Sequence, residues 1–580
     1  MQNGCGIIST SAQLNRLRET DMRITDTGDL WWKTAVVYCL DVQTFMDWNG
    51  DGTGDFIGVT ERIDYLADLG ITCLWLMPFY PTADRDDGYD ITDFYGVDPR
   101  LGTHGDFVEM VRTARDRGMR VIVDLVVNHT SDKHPWFRAA RSSKDSDLRD
   151  FYVWVADPPQ DASSAVVFPD QEDSIWELDE RTGEHYLHLF YKHQPDLNVA
   201  NPRVRDEIVK AMGFWLELGI SGFRVDAVPF LLELTGVPES AAEKFPDPHQ
   251  FLQELRSFLG RRTGDGILLG EVNLPYKDQK KFFGGADGGE LTMMFDFLCM
   301  QKLYLSMARQ DARPLVRALT SRPVISVDSQ WAIFLRNHDE LTLDKLSETE
   351  REEVFAAFGP AKDMQLYGRG LRRRLPPMFD GDPRRLRMAY SLMFSLPGTP
   401  VLFYGEEIGM GENLDVEGRL AVRTPMQWSP ERNGGFSTAR ASKLPRPLVK
   451  GPYGPEHVNV ADQRSDPDSL LNFVTRLIRR YRESPELGWG ELSILEQPHR
   501  QVLAHMCAAD DRRMVLLHNL SADRCTVPLE IKGCGADYRL VDLLQNGVTV
   551  LDEQGRAELA LDAYGYRWLR LMSHASRRLV

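Results

Sequence analysis

The chain has little cysteine, no long apolar run and no excess of positive charge. Its 580 residues include seven scattered cysteines without a CxxC pair, so neither a disulfide framework nor a zinc site is expected. No apolar run reaches the roughly 18 residues that would cross a bilayer. The first residues also lack an apolar segment of signal-peptide length. We therefore expect a cytoplasmic protein that does not bind membranes.

Most of the charged residues are acidic. The chain has 68 lysine and arginine residues against 86 aspartate and glutamate residues, a formal net charge of −18. An acidic surface repels phosphate backbones and anionic lipids, so nucleic acids and membranes are not expected as partners. A small neutral substrate fits this charge better, although solubility alone also explains it.

From residue 31 onward, short apolar runs alternate with amphipathic segments. Four apolar residues between 204 and 215 recur at i, i+4, i+8 and i+11, which predicts a helix, and 106–118 predicts another. The apolar runs are typical of buried parallel strands, and they cover 35–40, 71–77, 120–127, 220–225, 267–269, 331–335 and 400–404. This alternation predicts an α/β fold, with a (β/α)₈ TIM barrel as the main candidate.

Two changes in pattern divide the chain into domains. An irregular stretch rich in Asp, Ser and aromatic residues follows the third predicted strand, and short alternating runs separated by turn residues begin after 470. These runs predict an antiparallel β-sandwich. The predicted domains are an N-terminal arm (1–29), a catalytic barrel (30–130 and 200–470), a small inserted domain (131–199) and a C-terminal β-domain (471–580).

Polar residues close four of the predicted strands, where a purely structural strand would not need them. Because all strands of a barrel end at the same face, these side chains are expected to meet at one mouth. A lone aspartate at a strand end is often a helix N-cap or part of a salt bridge, but four such ends together favour a site. The residues are Asp124, Asn128, His129, Arg224, Asp226, Glu271, Arg336, Asn337, His338 and Asp339.

Three carboxylates with an arginine and histidines suit the cleavage of α-glycosides. One carboxylate must face the anomeric carbon in the oxocarbenium-like transition state, and a second must protonate the leaving oxygen with a raised pKa. Arg224 lies two residues before Asp226, so both side chains point the same way from a strand. The cation would keep Asp226 ionised.

The strings DLVVNHT, GFRVDAV, GEV and FLRNHDE resemble, in order, four signature regions of the α-amylase family (glycoside hydrolase family 13). QPDLN at 194–198 resembles a fifth region in its oligo-1,6-glucosidase-like form. The resemblance implies a retaining mechanism with Asp226 as nucleophile, Glu271 as acid/base and Asp339 as third carboxylate. It also implies that the glucose-binding subsite is lined by His129, Arg224 and His338.

Two further segments resemble substrate-binding parts of that family. In DDGYD, Asp86 would hold the non-reducing end of the sugar, and Tyr89 would stack on the sugar face, as an aromatic ring suits the apolar face of a pyranose. Arg423 in VRTPMQW matches an arginine of exo-acting α-glucosidases and trehalose synthases. The alternative for Arg423 is a surface ion pair.

The segment DWNGDGTGD alternates oxygen-bearing side chains with glycine, as calcium loops do. It departs from the EF-hand because the twelfth position from its start is Gly58 rather than Glu. The resemblance implies a structural Ca²⁺, for which Mg²⁺ would also fit, and an Asx-rich turn without metal is the alternative. The implied ligands are Asp47, Asn49, Asp51, the Thr53 carbonyl and Asp55; no organic cofactor is expected.

Further motifs, among them QWAIFLRNHDELTL and VRTPMQWSPERNGGFS, resemble the trehalose synthase subfamily, whose members interconvert maltose and trehalose. The chain departs from that subfamily at 271–276, EVNLPY, and at 235–248. The loop after Glu271 shapes the acceptor site, so hydrolysis by an exo-acting α-glucosidase and transfer to another acceptor stay open. The expected partner is a small neutral saccharide such as maltose or trehalose, and homo-oligomer formation is left open.

Overall fold

The computed structural model describes residues 30–159, 166–168, 170–232, 249–285 and 288–573. The predicted arm at 1–29 and the divergent stretch at 235–248 lie outside the described residues. Among those that are described, no helix is both long and apolar enough to cross a membrane.

Eight parallel strands close into a barrel, which confirms the predicted fold class. Each strand pairs in parallel with its neighbours, and the last closes on the first through Val37 opposite Val401. The strand residues are buried almost throughout, as expected when helices cover a parallel sheet. The strands are β1 (Val37–Leu40), β2 (Cys73–Leu76), β3 (Arg120–Leu125), β4 (Gly222–Val225), β5 (Ile267–Gly270), β6 (Met293–Phe295), β7 (Gln330–Phe334) and β8 (Thr399–Phe403).

Amphipathic helices follow the strands. Pro202–Glu217 begins after Asn201, whose side chain caps it, and buries the predicted apolar stripe. His104–Asp116 begins with a capping box between Thr103 and Asp106. The other helices of the barrel and its flanks are Val42–Phe45, Phe56–Glu61, Ile63–Leu69, Pro135–Ala140, Val228–Leu232, His249–Arg262, Tyr276–Phe282, Phe297–Arg309, Arg313–Ser321, Glu348–Phe358, Leu375–Met378, Pro383–Ser395, Val460–Ser465, Leu470–Arg482 and Glu486–Trp489.

The chain between β3 and β4 forms a small antiparallel sheet of Trp154–Val155, Trp176–Asp179 and Glu184–Leu187. It is fastened to the end of β3 by a bridge between His129 and Asp196. A second small sheet follows β7 and consists of Leu341–Thr342, Gln365–Leu366 and Gly370–Leu371. Both sheets stand beside the carboxyl ends of the barrel strands.

The C-terminal part is built from antiparallel sheets, as predicted. Apolar side chains such as Val515 and Val527 pack between them, and Trp568 donates to Ser391 of the barrel helices at 3.0 Å. The exact domain bounds stay a prediction. One sheet contains Glu491–Ile494, Val502–Ala509, Arg512–Asn519, Tyr538–Asp542, Val548–Val550 and Tyr566–Ser573, and the other contains Cys525–Glu530 and Arg556–Leu561.

Candidate active site

A cavity of about 430 Å³ opens at the carboxyl ends of the barrel strands. Its size is typical of a site for a small molecule, and its position is where barrel enzymes bind substrates. Seven of the predicted site residues line it directly: Asp86, Tyr89, His129, Asp226, Glu271, Asn337 and Asp339. Arg224, His338 and Arg423 lie buried against these residues and fix them from behind.

Arg224, at the end of β4, joins three carboxylates from three neighbouring strands. One guanidinium nitrogen donates to both Asp124 and Asp226, and the other donates to Glu271, each at 2.5 Å. The arginine side chain is 2% exposed, so water does not screen these contacts. One buried cation therefore holds Asp226 and Glu271 at fixed positions in the same cavity.

Burial and crowding raise the pKa of all three of these carboxyl groups. Burial raises the pKa of Asp226 and of Asp124 to about 6, although Arg224 lowers both. Burial and the neighbouring charges of Asp226 and Asp339 raise the pKa of Glu271 to about 7, against the opposing effect of Arg224. At neutral pH, Asp226 is therefore mainly ionised while Glu271 is partly protonated.

The backbone after Asp226 turns sharply. Ala227 has a positive φ of 48°, which is costly for a residue with a side chain and is often found at functional sites. This turn lets the Ala227 N–H donate to the Glu271 carboxylate at 3.3 Å. Backbone geometry and Arg224 thus hold Glu271 in the same place.

Asp339, after β7, lies between two arginines. Arg419 donates to it at 2.7 Å and Arg423 at 2.9 Å. Burial alone would raise the pKa of Asp339, but His338 and the two arginines hold it well below its ordinary value. Asp339 therefore stays ionised across the neutral range.

The same arginines bind the acidic loop after β2. Arg419 also donates to Asp86 at 2.7 Å, and Arg423 donates to Asp87 at 2.6 Å. Gln194, from the QPDLN segment, donates to the other oxygen of Asp86 at 2.9 Å. Asp86 and Asp339 are thus linked across the cavity, and Arg423 is a buried part of the site rather than a surface ion pair.

Tyr89 and the two histidines form the floor of this end. The Tyr89 hydroxyl lies 2.8 Å from His338 Nε2, and His129 Nε2 lies 3.2 Å from the Tyr89 carbonyl oxygen. Burial lowers the pKa of His129 to about 3 and that of His338 to about 4. Both rings are neutral near pH 7, so they can act there as hydrogen-bonding groups.

Aromatic side chains from separate loops close the cavity over Arg419. Phe168, from the inserted segment, stacks on Tyr191 with ring centres 4.7 Å apart and contacts Tyr367 at 5.1 Å. The Arg419 guanidinium lies over the Phe168 ring at 5.3 Å. This cover places apolar rings beside Arg419, at the end of the cavity that holds Asp86 and Asp339.

The predicted calcium ligands lie on one loop whose oxygens already accept hydrogen bonds, and the metal site stays a prediction. Asp47 accepts backbone N–H groups of Gly50 and Gly52 at 2.7 and 2.8 Å, and Asp55 caps the following helix through Gly58. The other side chains form Asx turns, in which Asn49 accepts from the N–H of Asp51, and Asp51 from that of Thr53. In the described part of the chain, no group of three or more His, Cys, Asp or Glu side chains is placed to hold a metal. The carboxylates of Asp47 and Asp55 thus accept hydrogen bonds from nearby backbone N–H groups.

The sequence patterns missed Arg419, Asp87 and the hydrogen bond from Gln194 to Asp86. Arg419 lies on an irregular segment, and its partners Asp339 and Asp86 lie 80 and 333 residues away. No local sequence pattern predicts contacts between residues so far apart in the chain. The aspartate beside Asp86 in DDGYD was a visible signal, since two adjacent acids in a barrel loop require cations if they are buried.

A parallel eight-stranded barrel with buried carboxylates around one arginine at its mouth has the arrangement that a glycosidase-type enzyme requires. The model of the alpha-amylase catalytic domain matches residues 41–356 and 373–490, and that of the sucrose hydrolase-like C-terminal domain matches 512–570. The chain belongs to the alpha-amylase family, glycoside hydrolase family 13.

Relatives cover nearly the whole chain. The trehalose synthase of Pimelobacter sp. (strain R48) is 40% identical over 93% of this chain and 96% of that protein. The glucan 1,6-alpha-glucosidase of Streptococcus pneumoniae serotype 4 is 31% identical over 87% and 94%. The crystal structure of the trehalulose synthase MutB from Pseudomonas mesoacidophila MX-45 has a TM-score of 0.73 at 27% identity and covers 93% and 99%. The chain is therefore an enzyme of the glycoside hydrolase and isomerase type, related to trehalose synthases.

Proposed function

We propose that the enzyme transfers α-glucosyl units by a retaining double displacement and interconverts maltose and trehalose. Asp226 attacks the anomeric carbon, the bond to the leaving oxygen breaks, and a glucosyl-Asp226 ester forms. The observation that carries this proposal is the sharing of Arg224 by Asp226 and Glu271 in one cavity. It supplies an ionised nucleophile beside a carboxyl group that can carry a proton.

Glu271 is proposed as the acid/base. Its pKa of about 7 lets it give a proton to the leaving oxygen in the first step. In the second step the resulting carboxylate takes a proton from the acceptor hydroxyl, which then attacks the glucosyl ester. Asp226 and Glu271 return to their starting states, so the reaction balances without any further reagent.

The cluster around Asp339 is proposed to bind the transferred glucose. A carboxylate held ionised by Arg419 and Arg423 is a strong acceptor for sugar hydroxyl groups. The links from Asp86 to Arg419 and from Asp87 to Arg423 wall off this end of the cavity. A walled end admits a single glucosyl unit, which supports exo action on a small neutral saccharide.

The aromatic cover over Arg419 supports transfer rather than hydrolysis, because an intramolecular transfer requires that glucose stay in the site and that water stay out. The alternatives are hydrolysis of short α-glucosides and transfer to another acceptor. Both alternatives stay open because the divergent loop at 271–276 contributes Asn273 and Leu274 to the lining of the cavity.

Product analysis separates these reactions. The purified enzyme is incubated separately with maltose, trehalose, sucrose and isomaltose, and the products are resolved by NMR. We expect maltose to give trehalose with little free glucose. Glucose as the main product from maltose would instead establish a hydrolase.

A further inference from the structure

A third arginine, Arg446, lies behind the Asp339 end of the cavity and has no part in the steps proposed above. Its side chain is buried. Among the described residues that line the cavity, Asp339 and Arg419 belong to this end, whereas Arg446 lies outside the lining. Any effect of Arg446 on a bound sugar must therefore pass through the residues that it contacts.

The guanidinium of Arg446 contacts three groups from distant parts of the chain. One terminal nitrogen donates to the Arg423 carbonyl oxygen at 2.8 Å and to Asp41 Oδ2 at 3.2 Å, and the other donates to Asp87 Oδ1. Asp41 and Asp87 precede Arg446 by 405 and 359 residues. Because a guanidinium is planar and rigid, donation from both of its ends fixes the relative positions of the partners.

Asp87 links Arg446 to the guanidinium of Arg423. Its second oxygen, Oδ2, accepts from Arg423 at 2.6 Å, so the carboxylate is held between two arginines. Burial opposes the ionisation of Asp87, but Arg446 and Arg423 lower its pKa to about 2. Asp87 is therefore a charged bridge between the two arginines across the neutral pH range.

Each nitrogen of the Arg423 guanidinium donates a hydrogen bond. Nε donates to the His338 carbonyl oxygen at 2.7 Å, Nη1 to Asp87 at 2.6 Å and Nη2 to Asp339 at 2.9 Å. Arg446 holds both ends of this residue, the backbone carbonyl group directly and the guanidinium through Asp87. Since the guanidinium is planar, a shift at Nη1 also moves Nη2 and its hydrogen bond to Asp339.

Arg446 is itself anchored on both sides. Asp41 directly follows β1, and its other oxygen accepts from the Gln43 N–H at 2.9 Å. On the segment that leads to Arg446, the Ser437 hydroxyl donates to Asp47 at 2.5 Å. A buried cation that is anchored to a barrel strand in this way provides the support that a precise binding site requires.

We propose that Arg446 is a positioning residue that fixes Arg423 and Asp87, and through them Asp339, for binding of the transferred glucose. This proposal deepens the proposed function and rests on it, because it assumes that Asp339 binds that glucose. The alternative is a merely structural role, in which Arg446 only compensates the buried charge of Asp41.

The first test measures KM and kcat with α-glucosyl fluoride, which carries the transferred glucose without an acceptor sugar. Arg446→Met should raise KM about tenfold and change kcat less than about threefold, because glucose binding is disturbed at a distance from the reacting atoms. Arg446→Lys keeps a charge but cannot donate from two ends of a planar group, so most of the rise in KM should remain. A normal KM in both variants would overturn the proposal.

The matched control is a buried arginine outside the site. Arg149, in the inserted segment, pairs with Glu184 at 2.6 Å. Arg149→Met should lower Tm, because it leaves a partly buried carboxylate without its arginine, while KM stays within about twofold of that of the unaltered enzyme. A rise in KM as large as that of Arg446→Met would show that any loss of a buried arginine has this effect, against the proposal.

A double variant separates positioning from charge compensation. Arg446→Met leaves the buried Asp41 without its arginine, so Tm should fall. Adding Asp41→Asn removes that charge and should restore most of the lost Tm, but KM should stay raised, because Arg423 and Asp87 still lack Arg446. Recovery of KM together with Tm would establish the structural role and overturn the proposal.

These outcomes are distinct from a failure of the proposed function. An unaltered enzyme that released no fluoride would disprove the glucosyl transfer itself. Fluoride release by the unaltered enzyme, with an unchanged KM in the Arg446 variants, would leave the transfer in place and disprove only the role of Arg446.

Discussion

Two arginine clusters share one cavity, yet they hold their carboxylates in opposite states. Around Arg224, a single guanidinium serves Asp124, Asp226 and Glu271, whose pKa values lie at about 6, 6 and 7. Around Asp339, His338 and two arginines contact one carboxylate, whose pKa lies well below its ordinary value. The number of such partners for each buried carboxylate thus decides which groups exchange protons near neutral pH.

The same rule holds inside the second cluster. Asp87 contacts Arg423 and Arg446, and although burial opposes ionisation, the arginines lower its pKa to about 2. Its neighbour Asp86 contacts Arg419 and Gln194, and burial raises its pKa in spite of that arginine. Adjacent residues therefore differ because the arginines are unequally shared. We therefore assign the proposed chemical steps to the carboxylates around Arg224 and the proposed sugar binding to the cluster around Asp339.

The largest effect is expected at Asp226. Asp226→Ala removes the proposed nucleophile and should lower kcat on maltose by at least about 10⁴-fold while leaving the fold intact. Activity and thermal unfolding are measured together, with Asp415→Ala as an exposed control. A folded variant that turned over maltose at a near-normal rate would disprove the assignment.

A smaller effect is expected at Arg419. Arg419→Met leaves Asp86 and Asp339 with fewer cations, so glucose binding should weaken and KM for maltose should rise about 10- to 100-fold. The control is Arg440→Met, an exposed arginine in a following loop. A change confined to kcat would show that Arg419 acts on the chemical step, against the division between the two clusters.

The pH profile is expected to follow the Arg224 cluster. The value of kcat/KM for maltose should fall below about pH 6, where Asp226 takes up a proton, and above about pH 7, where Glu271 loses its proton. With α-glucosyl fluoride, whose leaving group needs little protonation, the fall above pH 7 should weaken. A profile that stayed flat from pH 5 to 9 would contradict the raised pKa values.

The smallest effect is expected at the loop of Asp47. Because its carboxylates accept backbone N–H groups, a chelator should shift Tm by less than about 2 °C. Thermal unfolding with and without EDTA, and after added Ca²⁺, measures this. A large loss of stability that added calcium restored would confirm the metal site that the sequence pattern predicts.

Local pattern was enough to predict most of the barrel. Short apolar runs marked seven of its strands. The strand β6, Met293–Phe295, was missed because after Asp296 its apolar residues continue directly into the helix Phe297–Arg309. The C-terminal strand Val502–Ala509 does not follow the alternating pattern that predicted this domain. Its first four residues are all buried, and the ring of His505 lies 2.9 Å from the Ser395 carbonyl oxygen of a barrel helix.

The positions of the candidate residues were predictable where these residues follow a strand end. Asp226 and Glu271 directly follow β4 and β5, so the barrel itself brings them together. Arg419 instead reaches Asp339 and Asp86 from a loop that meets them only in the folded chain. The calcium pattern is ambiguous for a physical reason, because the same alternating side chains that could bind a cation can also cap the turn.

The most direct test of the account is to trap the glucosyl-enzyme. In Glu271→Gln, α-glucosyl fluoride can still react with Asp226, but the missing base slows the second step, so the intermediate should accumulate. Mass spectrometry of peptic fragments should then show one hexosyl unit on Asp226, and none in Glu271→Gln with Asp226→Ala. A hexosyl unit on another residue, or disaccharide formation by the double variant, would contradict the account.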